Sequence, residues 1–456
     1  MEHNRIKTEN SNLTRHTSII GLNINKNESL NTEKILTKKR KLDNEDLSVS
    51  KLKNKPLQKS RQTIIEENKD LDSVIYYFEK NLRKVKPYYY EYQAFAKGRW
   101  LRRSIFDVFC KEFRDRTAEY YAYAIETGLI TINEKIITKE TIVKNQDIIR
   151  HKIHRHEPPI TAAPIKIIST ENDLIVIDKP GSIPVHPSGR YRHNTVLHIL
   201  QKNFGFANLY TLNRIDRLTS GIMFLAINKK KAQEFEQLMQ ERKIRKEYLC
   251  RVIGEFPTDD VTCDKPIITV SHKLGLNVVH PNGKPCETRF HRESYNGRTS
   301  VVRCKPITGR THQIRVHLQY LGHVIANDPL YNHRVWGQQK GKGGIDEDLT
   351  KSVVDNLMKE GINQDEDINL DSSTTIKQDS DFLSSDFINK EEHIQCTENI
   401  KLLEQCEECT MQNLPDPEPH QLFIWLHALK YEGDEWKYET EWPYWANKDF
   451  TGDYGI

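Results

Sequence analysis

Short apolar runs bounded by turn residues dominate the middle of the chain and predict a buried sheet. Four of these runs have the length of strands: residues 174–177, 221–228, 246–253 and 301–305. The third run alternates, so that Tyr248, Cys250 and Val252 lie on one face. Residues 229–242 instead have the spacing of an amphipathic helix. Together these elements predict the main folded domain, which we place at residues 161–340.

A second helix is predicted at residues 312–321, where Gly322 ends the periodic pattern. Its polar residues His312, Arg315 and Gln319 share one face. The rest of the helix carries apolar residues that we expect in the core: Ile314, Val316, Leu318 and Leu321.

Residues 71–160 differ in composition, because aromatic and basic residues alternate through them. Rings that stack on bases and cations that meet phosphates suit RNA, although a solvated helix with an aromatic core face gives a similar pattern. Residues 104–150 predict two amphipathic helices, a break at Gly128 and a small hairpin around Asn133. This order resembles the S4 RNA-binding module, so we expect a small S4-like RNA-binding domain before the main domain.

Two polar segments lie outside these folded parts. Residues 1–70 lack sustained periodicity and are predicted to be a disordered tail, within which the basic run at 38–41 could be a nuclear import signal or an ordinary polar-tail feature. Residues 341–420 are acidic and rich in Ser, Asp and Asn, and we expect a disordered insertion. Residues 421–456 begin with an apolar strand at 422–431, which we expect to return to the central sheet and complete the main domain.

The formal net charge of +4 conceals an uneven distribution. The insertion contains 6 lysines and 20 acidic residues, so it carries −14 and the rest of the chain carries +18. A basic body is typical of a protein that binds a phosphate backbone. No apolar run reaches the ~18 residues that a membrane span needs. The 8 cysteines follow no disulfide framework, which favours reduced thiols in an intracellular compartment.

The strongest candidate for chemistry is Asp216, in the stretch T-L-N-R-I-D-R-L-T-S-G at residues 211–221. A carboxylate is costly to bury, and this one directly precedes a buried strand, so we expect it in a loop that the strand holds in place. The alternative is an ordinary turn residue that pairs with Arg214 and Arg217.

Two further patterns could indicate a metal. The three histidines of H-K-I-H-R-H at 151–156 lie among basic residues with no cysteine nearby, so we favour a basic connecting strand over a zinc site. The H-x-E at 291–293 and the C-x-x-C at 406–409 mimic a zinc deaminase, but Gln405 stands where that signature requires proline. We favour simple thiols there. A structural zinc is the alternative, with four candidate ligands: Cys406, Cys409, Cys396 and His393.

Three motifs then occur in order: D-L-I-V-I-D-K-P-G at 173–181, R-I-D-R-L-T-S-G at 214–221 and P-I-T-G-R-T-H-Q-I-R-V-H-L at 306–318. Through them the chain resembles the RluA-type pseudouridine synthases. The aromatic arm and H-R-H-E-P-P at 154–159 are similar to the eukaryotic branch that includes transfer-RNA uridine-32 synthases. The resemblance implies an α+β pseudouridine synthase fold with a mixed, mostly antiparallel central sheet and flanking helices. It also implies that the protein needs no cofactor and no metal.

By this resemblance Asp216 matches the essential aspartate, Tyr248 the tyrosine of K-x-Y, and Arg315 the arginine of H-Q-I-R. The family's H-R-L-D is N-R-I-D here, and Asn213 is expected to shape the loop because it cannot exchange a proton. The reaction breaks the N1–C1′ bond of uridine, turns the base and rejoins it through C5. Asp216 would attack C1′ or abstract a C2′ proton, and both routes stay open. Arg315 would orient Asp216, while Tyr248 would stack on the base and help to remove the C5 proton.

The uridine must leave its stack to react, and Arg214 could fill the vacated space. Further RNA contacts are expected from these residues: Arg217, His186, Arg190, Arg310 and His312. A uridine at position 32 of a transfer-RNA anticodon loop is the preferred substrate, with messenger RNA or another structured RNA as alternatives. We expect a monomer in the cytoplasm, the nucleus or both, with the mitochondrion also open. The competing class is a non-catalytic RNA-binding or RNA-chaperone protein, which the intact Asp216, Tyr248 and Arg315 disfavour.

Overall fold

The structure is a computed structural model that describes residues 74–113, 116–272, 274–360, 409 and 415–452. The predicted tail at 1–70, the basic run at 38–41 and most of the predicted insertion lie outside these residues.

The N-terminal module, residues 74–161, contains two small antiparallel sheets. Its strands are β1 (Tyr76–Glu79), β2 (Leu82–Val85), β3 (Tyr88–Phe95), β4 (Ile130–Ile132), β5 (Lys135–Ile136), β6 (Ile148–Arg155) and β7 (Ile160–Thr161). One sheet has the strand order β1-β2-β7 and the other the order β3-β6-β4-β5.

Two helices, α1 (Ile105–Glu112) and α2 (Ala118–Glu126), pack with the second of these sheets. Ser104 and Thr117 begin them, because each side-chain oxygen accepts a hydrogen bond from a backbone N–H of the first turn. Apolar residues at helical spacing fill the core of the module: Ile105, Val108, Phe109, Tyr121, Ala124 and Ile125. The predicted order of two helices, a break at Gly128 and a hairpin is observed. The S4-like character of the module stays a prediction.

The rest of the described chain is organised on one large sheet. The strands of this part of the chain, in order, are β8 (Lys166–Ser169), β9 (Leu174–Lys179), β10 (Tyr210–Thr211), β11 (Ser220–Ala226), β12 (Arg245–Ile253), β13 (Val261–Cys263), β14 (Ile267–Ser271), β15 (Leu276–Val279), β16 (Thr288–Tyr295), β17 (Thr299–Pro306), β18 (Leu426–Glu432) and β19 (Lys437–Glu439). The order is β13-β16-β17-β12-β18-β11-β9-β8, with β10 on β11 and β19 on β18, while β14 and β15 form a separate hairpin. Only β11 and β18 pair in parallel among the described strands, which confirms a mixed, mostly antiparallel sheet.

Helices flank this sheet, as expected for the fold. They are α3 (Val196–Phe204), α4 (Lys229–Gln240) and α5 (Gln313–Leu321), whereas α6 (Glu347–Lys359) packs in the hydrophobic cluster that includes the β14–β15 hairpin. Within the described residues, no helix has both the length and the apolar character needed to cross a bilayer.

The late strand β18 occupies the middle of the sheet, between β11 and β12. The apolar stretch predicted at 422–431 therefore pairs in the central sheet. Its parallel contact with β11 aligns Gly221 with Ala428. Gly221 has a φ of +109°, and a Cβ there would lie 2.3 Å from the Ala428 carbonyl oxygen. Only glycine permits this approach, which fixes β11 immediately after the Asp216 loop.

Helix α5 is buried more completely than its sequence predicts. Arg315 and Gln319 are buried together with the apolar residues, because α5 contributes to two neighbouring hydrophobic clusters. One expectation is wrong here, because His312 precedes the helix as its N-cap, with a left-handed φ of +55°. Leu321 is half-buried and packs against the core, as expected.

The predicted disordered insertion is wrong at its N-terminal end, where α6 forms. Asp346 begins the helix by accepting a backbone N–H at 2.7 Å. Val353 and Leu357, one helical turn apart, are fully buried in a cluster that includes Tyr331. The acidic composition of this segment obscured a short apolar pair that anchors the helix.

Candidate active site

Asp216 lies in the loop between β10 and β11, held by buried neighbours on both sides. Ile215 and Leu218 anchor the loop in two hydrophobic clusters. The Lys179 ammonium, at the end of β9, is fully buried and donates to the Arg217 carbonyl at 3.1 Å, as well as to two carbonyls of its own loop. A buried lysine satisfied by carbonyl groups thus ties the Asp216 loop to the neighbouring strand.

The Asp216 carboxylate pairs with Arg315 from α5 rather than with Arg214 or Arg217. The Arg315 Nη1 lies 3.1 Å from Asp216 Oδ2. The other side of the guanidinium donates to both oxygens of Asp328, through Nε at 2.7 Å and Nη2 at 3.0 Å. Since Arg315 and Asp328 are both completely buried, this two-point contact fixes the guanidinium plane that presents Nη1 to Asp216.

His312 provides a second contact to the same carboxylate oxygen. Its Nε2 lies 3.7 Å from Asp216 Oδ2, and its Nδ1 lies 2.9 Å from the Tyr331 hydroxyl. The Tyr331 oxygen accepts the backbone N–H of Asn277 at 3.2 Å, which allows its own proton to point to Nδ1. In that tautomer the Nε2 proton of His312 faces Asp216. The left-handed backbone at His312 therefore turns an N-cap residue towards the site.

Tyr248 from β12 faces the site through a chain of polar contacts. Its hydroxyl lies 2.6 Å from that of Tyr431 on β18, and Tyr431 accepts from Asn213 Nδ2 at 3.2 Å. Asn213 Oδ1 accepts the backbone N–H of Phe224 at 2.8 Å, so Asn213 joins the loop to β11, as predicted from its inability to exchange protons. Burial, the neighbouring Tyr431 and the charge of Asp216 raise the pKa of Tyr248 well above its usual value.

Lys246 shares the face of β12 that carries Tyr248. Its Nζ lies 3.8 Å from the position that a Cβ on Gly309 would take, beside the loop that leads into α5. Burial lowers the pKa of the Lys246 ammonium to about 8. Among the described residues it has no hydrogen bond or ion pair, so this cation is available to an anionic ligand.

The other predicted RNA-binding residues are not among the side-chain contacts of Asp216, which within the described chain are Arg315 and His312. Arg214 is exposed beside it, and the Arg217 guanidinium lies over the Tyr191 ring at 5.6 Å. His186 and Arg190 are half-buried in the loop between β9 and α3. The structure thus brings together Asp216, Arg315, His312 and Tyr248, whereas five predicted RNA-binding residues are not among the contacts of the Asp216 side chain. These are Arg214, Arg217, His186, Arg190 and Arg310.

Several residues of the site were missed in the sequence. Asp328 lies in A-N-D-P-L, which has the composition of an ordinary turn, and Tyr431 lies within an apolar strand. The sequence pattern assigns Lys179 to a turn and Lys246 to a strand, with no indication of a role in the site. Only the K-x-Y spacing could have drawn attention to Lys246, because it places Lys246 on the same strand face as Tyr248.

Comparisons with known proteins show which proteins this chain is similar to. Residues 173–320 match the family model described as RNA pseudouridylate synthase. The human pseudouridylate synthase RPUSD2 is 42% identical over 414 residues, which cover 83% of this chain and 76% of that protein. The mitochondrial tRNA pseudouridine(32) synthase of Saccharomyces cerevisiae is 43% identical over 380 residues, which cover 80% and 77%. The solved structure of human RNA pseudouridylate synthase domain containing 4 is 22% identical, with a TM-score of 0.38, over 62% of this chain and 90% of that one.

A carboxylate held by a buried arginine on a mixed sheet, in a chain with these relatives, defines an enzyme that modifies RNA. The chain belongs to the RluA-type pseudouridine synthase family and isomerises uridine in RNA to pseudouridine.

Proposed function

We propose that the protein modifies the uridine at position 32 of a transfer-RNA anticodon loop and that Asp216 acts on the ribose. The substrate proposal is supported by the 43% identity to a relative named tRNA pseudouridine(32) synthase. The catalytic proposal is carried by one observation: both side-chain contacts of Asp216 use Oδ2, and its side chain is 23% exposed. Oδ1 is therefore the atom that can meet a substrate.

Asp216 Oδ1 has two routes to the same product. In the first, it bonds to C1′ as the N1–C1′ bond breaks, and the bonding electrons leave with the uracil. The base turns, C5 attacks C1′, and the carboxylate is released. In the second, Oδ1 abstracts the C2′ proton while N1 departs, and later returns the proton. In both routes the C5 proton is lost and N1 regains a proton. Arg315 keeps Oδ2 in place throughout.

We assign Tyr248 to orienting the uracil rather than to removing the C5 proton. Because its pKa is raised well above the usual value, the phenol is protonated at neutral pH and is a weak proton acceptor. Its ring can stack on the flipped base, while the hydrogen bond to Tyr431 fixes the ring at one angle.

RNA would be held by cations around this pocket. Arg214 is exposed next to Asp216 and is placed to occupy the space that the flipped uridine leaves. Lys246 would meet a phosphate or a uracil oxygen. The N-terminal module would act as an S4-like RNA-binding domain, since exposed cations occur around its helices and hairpin. These cations include Arg102, Lys135 and Lys144.

We further infer a monomer, because one chain contains all of the residues proposed for catalysis. The mitochondrial relative supports the mitochondrion as a compartment, beside the cytoplasm and the nucleus.

Pseudouridine mapping tests the substrate directly. Total RNA from cells with and without the protein is compared by carbodiimide-dependent reverse-transcription stops. We expect one anticodon-loop site to disappear without the protein, and to return with wild type but not with Asp216→Ala. Anticodon-loop sites that are unchanged, with a lost site in messenger RNA instead, would contradict the proposed substrate.

A further inference from the structure

Three potential metal ligands meet at the surface of the N-terminal module, although they are far apart in the sequence. His154 belongs to β6, His156 follows that strand directly, and Cys409 comes from the far end of the acidic segment. His154 Nδ1 lies 3.1 Å from His156 Nε2, and the Cys409 Sγ lies 3.3 Å from each of these nitrogens.

The alternation of β6 explains why both histidines point the same way. Residues two apart in an extended segment project from one face, so His154 and His156 face Cys409. The odd-numbered residues project to the other face. Arg155 Nη2 donates to the Gly189 carbonyl at 3.0 Å, and Glu157 accepts the backbone N–H of Arg192 at 3.0 Å. The contacts of Arg155 and Glu157 thus hold the segment that presents the two imidazoles.

Hydrogen bonds among the three atoms do not account for their arrangement. A proton on one ring nitrogen can point along one side of the triangle but not along two. A metal ion satisfies all three donors together. In a tetrahedral zinc site, bonds of about 2.05 Å to nitrogen and 2.3 Å to sulfur imply ligand separations of about 3.3 Å for N–N and about 3.6 Å for N–S. The observed separations are within a few tenths of an ångström of these values.

We propose that His154, His156 and Cys409 bind a structural Zn²⁺ ion that fastens the end of the acidic segment to β6. Two imidazoles with a thiolate are a donor set suited to zinc and unsuited to Mg²⁺ or Ca²⁺, which prefer oxygen. The C-x-x-C spacing in the sequence, typical of zinc sites, gives Cys409 a neighbouring cysteine at Cys406, which lies outside the described residues.

A separate contact places the following segment at the same module. Asp416 Oδ2 lies 2.7 Å from the Lys84 ammonium on β2. The chain therefore returns from the acidic segment along the N-terminal module before it enters β18. A zinc site here shares no residue with the Asp216 site, so it goes beyond the pseudouridine synthase activity and does not depend on it. No sequence motif predicts this site, because the cysteine is 253 residues or more away from the two histidines along the chain.

The metal content of the purified full-length protein tests this proposal. We expect about one zinc per chain by mass spectrometry of the metal. After replacement by Co²⁺, we expect a thiolate-to-cobalt charge-transfer band and the visible bands of a tetrahedral site. Cys409→Ser should remove the charge-transfer band. Since Cys409 is exposed, this substitution leaves the core intact.

Matched variants distinguish the zinc ligands from cysteine and histidine residues elsewhere in the chain. His154→Ala and His156→Ala should each weaken zinc binding by at least ~10-fold in competition with a chelator. Loss of an outer-shell partner alone typically weakens metal binding by about 10-fold or more, and loss of a direct ligand should weaken it further. Cys110→Ser and His291→Ala, which remove a cysteine and a histidine elsewhere, should retain full zinc. Two results would overturn the site: wild type that takes up neither Zn²⁺ nor Co²⁺, or a Cys409→Ser variant with unchanged metal content and spectrum. Asp216→Ala should keep the metal, so loss of activity and loss of zinc are distinguishable.

Discussion

The buried pair of Arg315 and Asp328 is expected to be the most sensitive support of the active site, and Asp328→Asn tests it. Both side chains are completely buried. Asp328 Oδ1 accepts three hydrogen bonds, from Arg315 Nη2 at 3.0 Å and from two backbone N–H groups at 2.9 and 3.0 Å, while Oδ2 accepts from Arg315 Nε at 2.7 Å. Asparagine can retain the first three bonds, but its NH₂ group then faces the Nε–H of Arg315 where Oδ2 had accepted.

The cost follows from the buried charge that remains. Removal of one partner from a buried ion pair typically destabilises a protein by about 3–5 kcal/mol, and the three retained bonds place this case near the lower end. For a domain of this size, a loss of ~3 kcal/mol lowers the melting temperature by roughly 6–12 °C. The loosened guanidinium would also misplace Asp216, so kcat should fall more than RNA affinity.

Thermal and urea unfolding at pH 7 provide the assay, with Asp260→Asn as the matched control. The Asp260 carboxylate lies 2.8 Å from His291 Nδ1, but its side chain is 82% exposed. Exposed charged pairs contribute little to the free energy of unfolding, so the control should have the same unfolding midpoints in temperature and urea as wild type. Equal midpoints for the two variants, or a loss below ~1 kcal/mol for Asp328→Asn, would refute the importance of the buried pair.

Two pH dependences follow from buried bases. Burial lowers the pKa of His427 to about 4, against about 6.5 when unfolded, so the unfolded chain binds the extra proton first. The free energy of unfolding should therefore fall by up to ~3 kcal/mol as the pH drops from 6.5 to 4. Urea unfolding should show a smaller fall over this range in His427→Gln. The same dependence of the unfolding free energy on pH in both proteins would contradict this. Lys246, with a pKa of about 8, loses its charge above that pH. RNA affinity at constant salt should thus decrease by up to ~10-fold between pH 7 and 9 in wild type. Lys246→Gln should bind RNA weakly at both pH values and show no such decrease. If RNA affinity falls equally with pH in wild type and in Lys246→Gln, Lys246 has no role in binding.

The strands of the central sheet could be predicted because burial leaves a local signature. β9 and β11 are nearly continuous apolar runs, and each of β9, β11 and β12 is observed close to its predicted position. The alternation predicted for β12 is not observed in its burial, because Leu249 to Val252 are buried in succession. Helix α6 was missed because two apolar residues, Val353 and Leu357, are a weak signal within an acidic segment.

No local sequence pattern identifies the residues that contact the catalytic candidates. Asp216 and Arg315 are 99 residues apart, and Tyr248 and Tyr431 are 183 apart. Motif resemblance pointed to the first pair, but nothing local pointed to Tyr431 or Asp328. The role of Tyr431 depends on which strands become neighbours, and that is decided by the insertion of β18 between β11 and β12. The role of Asp328 depends on the turn that follows α5, where it meets Arg315.

The central claim, that Asp216 acts on the ribose, is tested most directly with purified protein and a transfer-RNA transcript containing uridine tritiated at C5. Pseudouridine formation releases this tritium to water. We predict release by wild type and by Asp260→Asn, and no release by Asp216→Asn, which should still bind the RNA and unfold cooperatively. Tritium release by Asp216→Asn at a rate near that of wild type would contradict the assignment of Asp216.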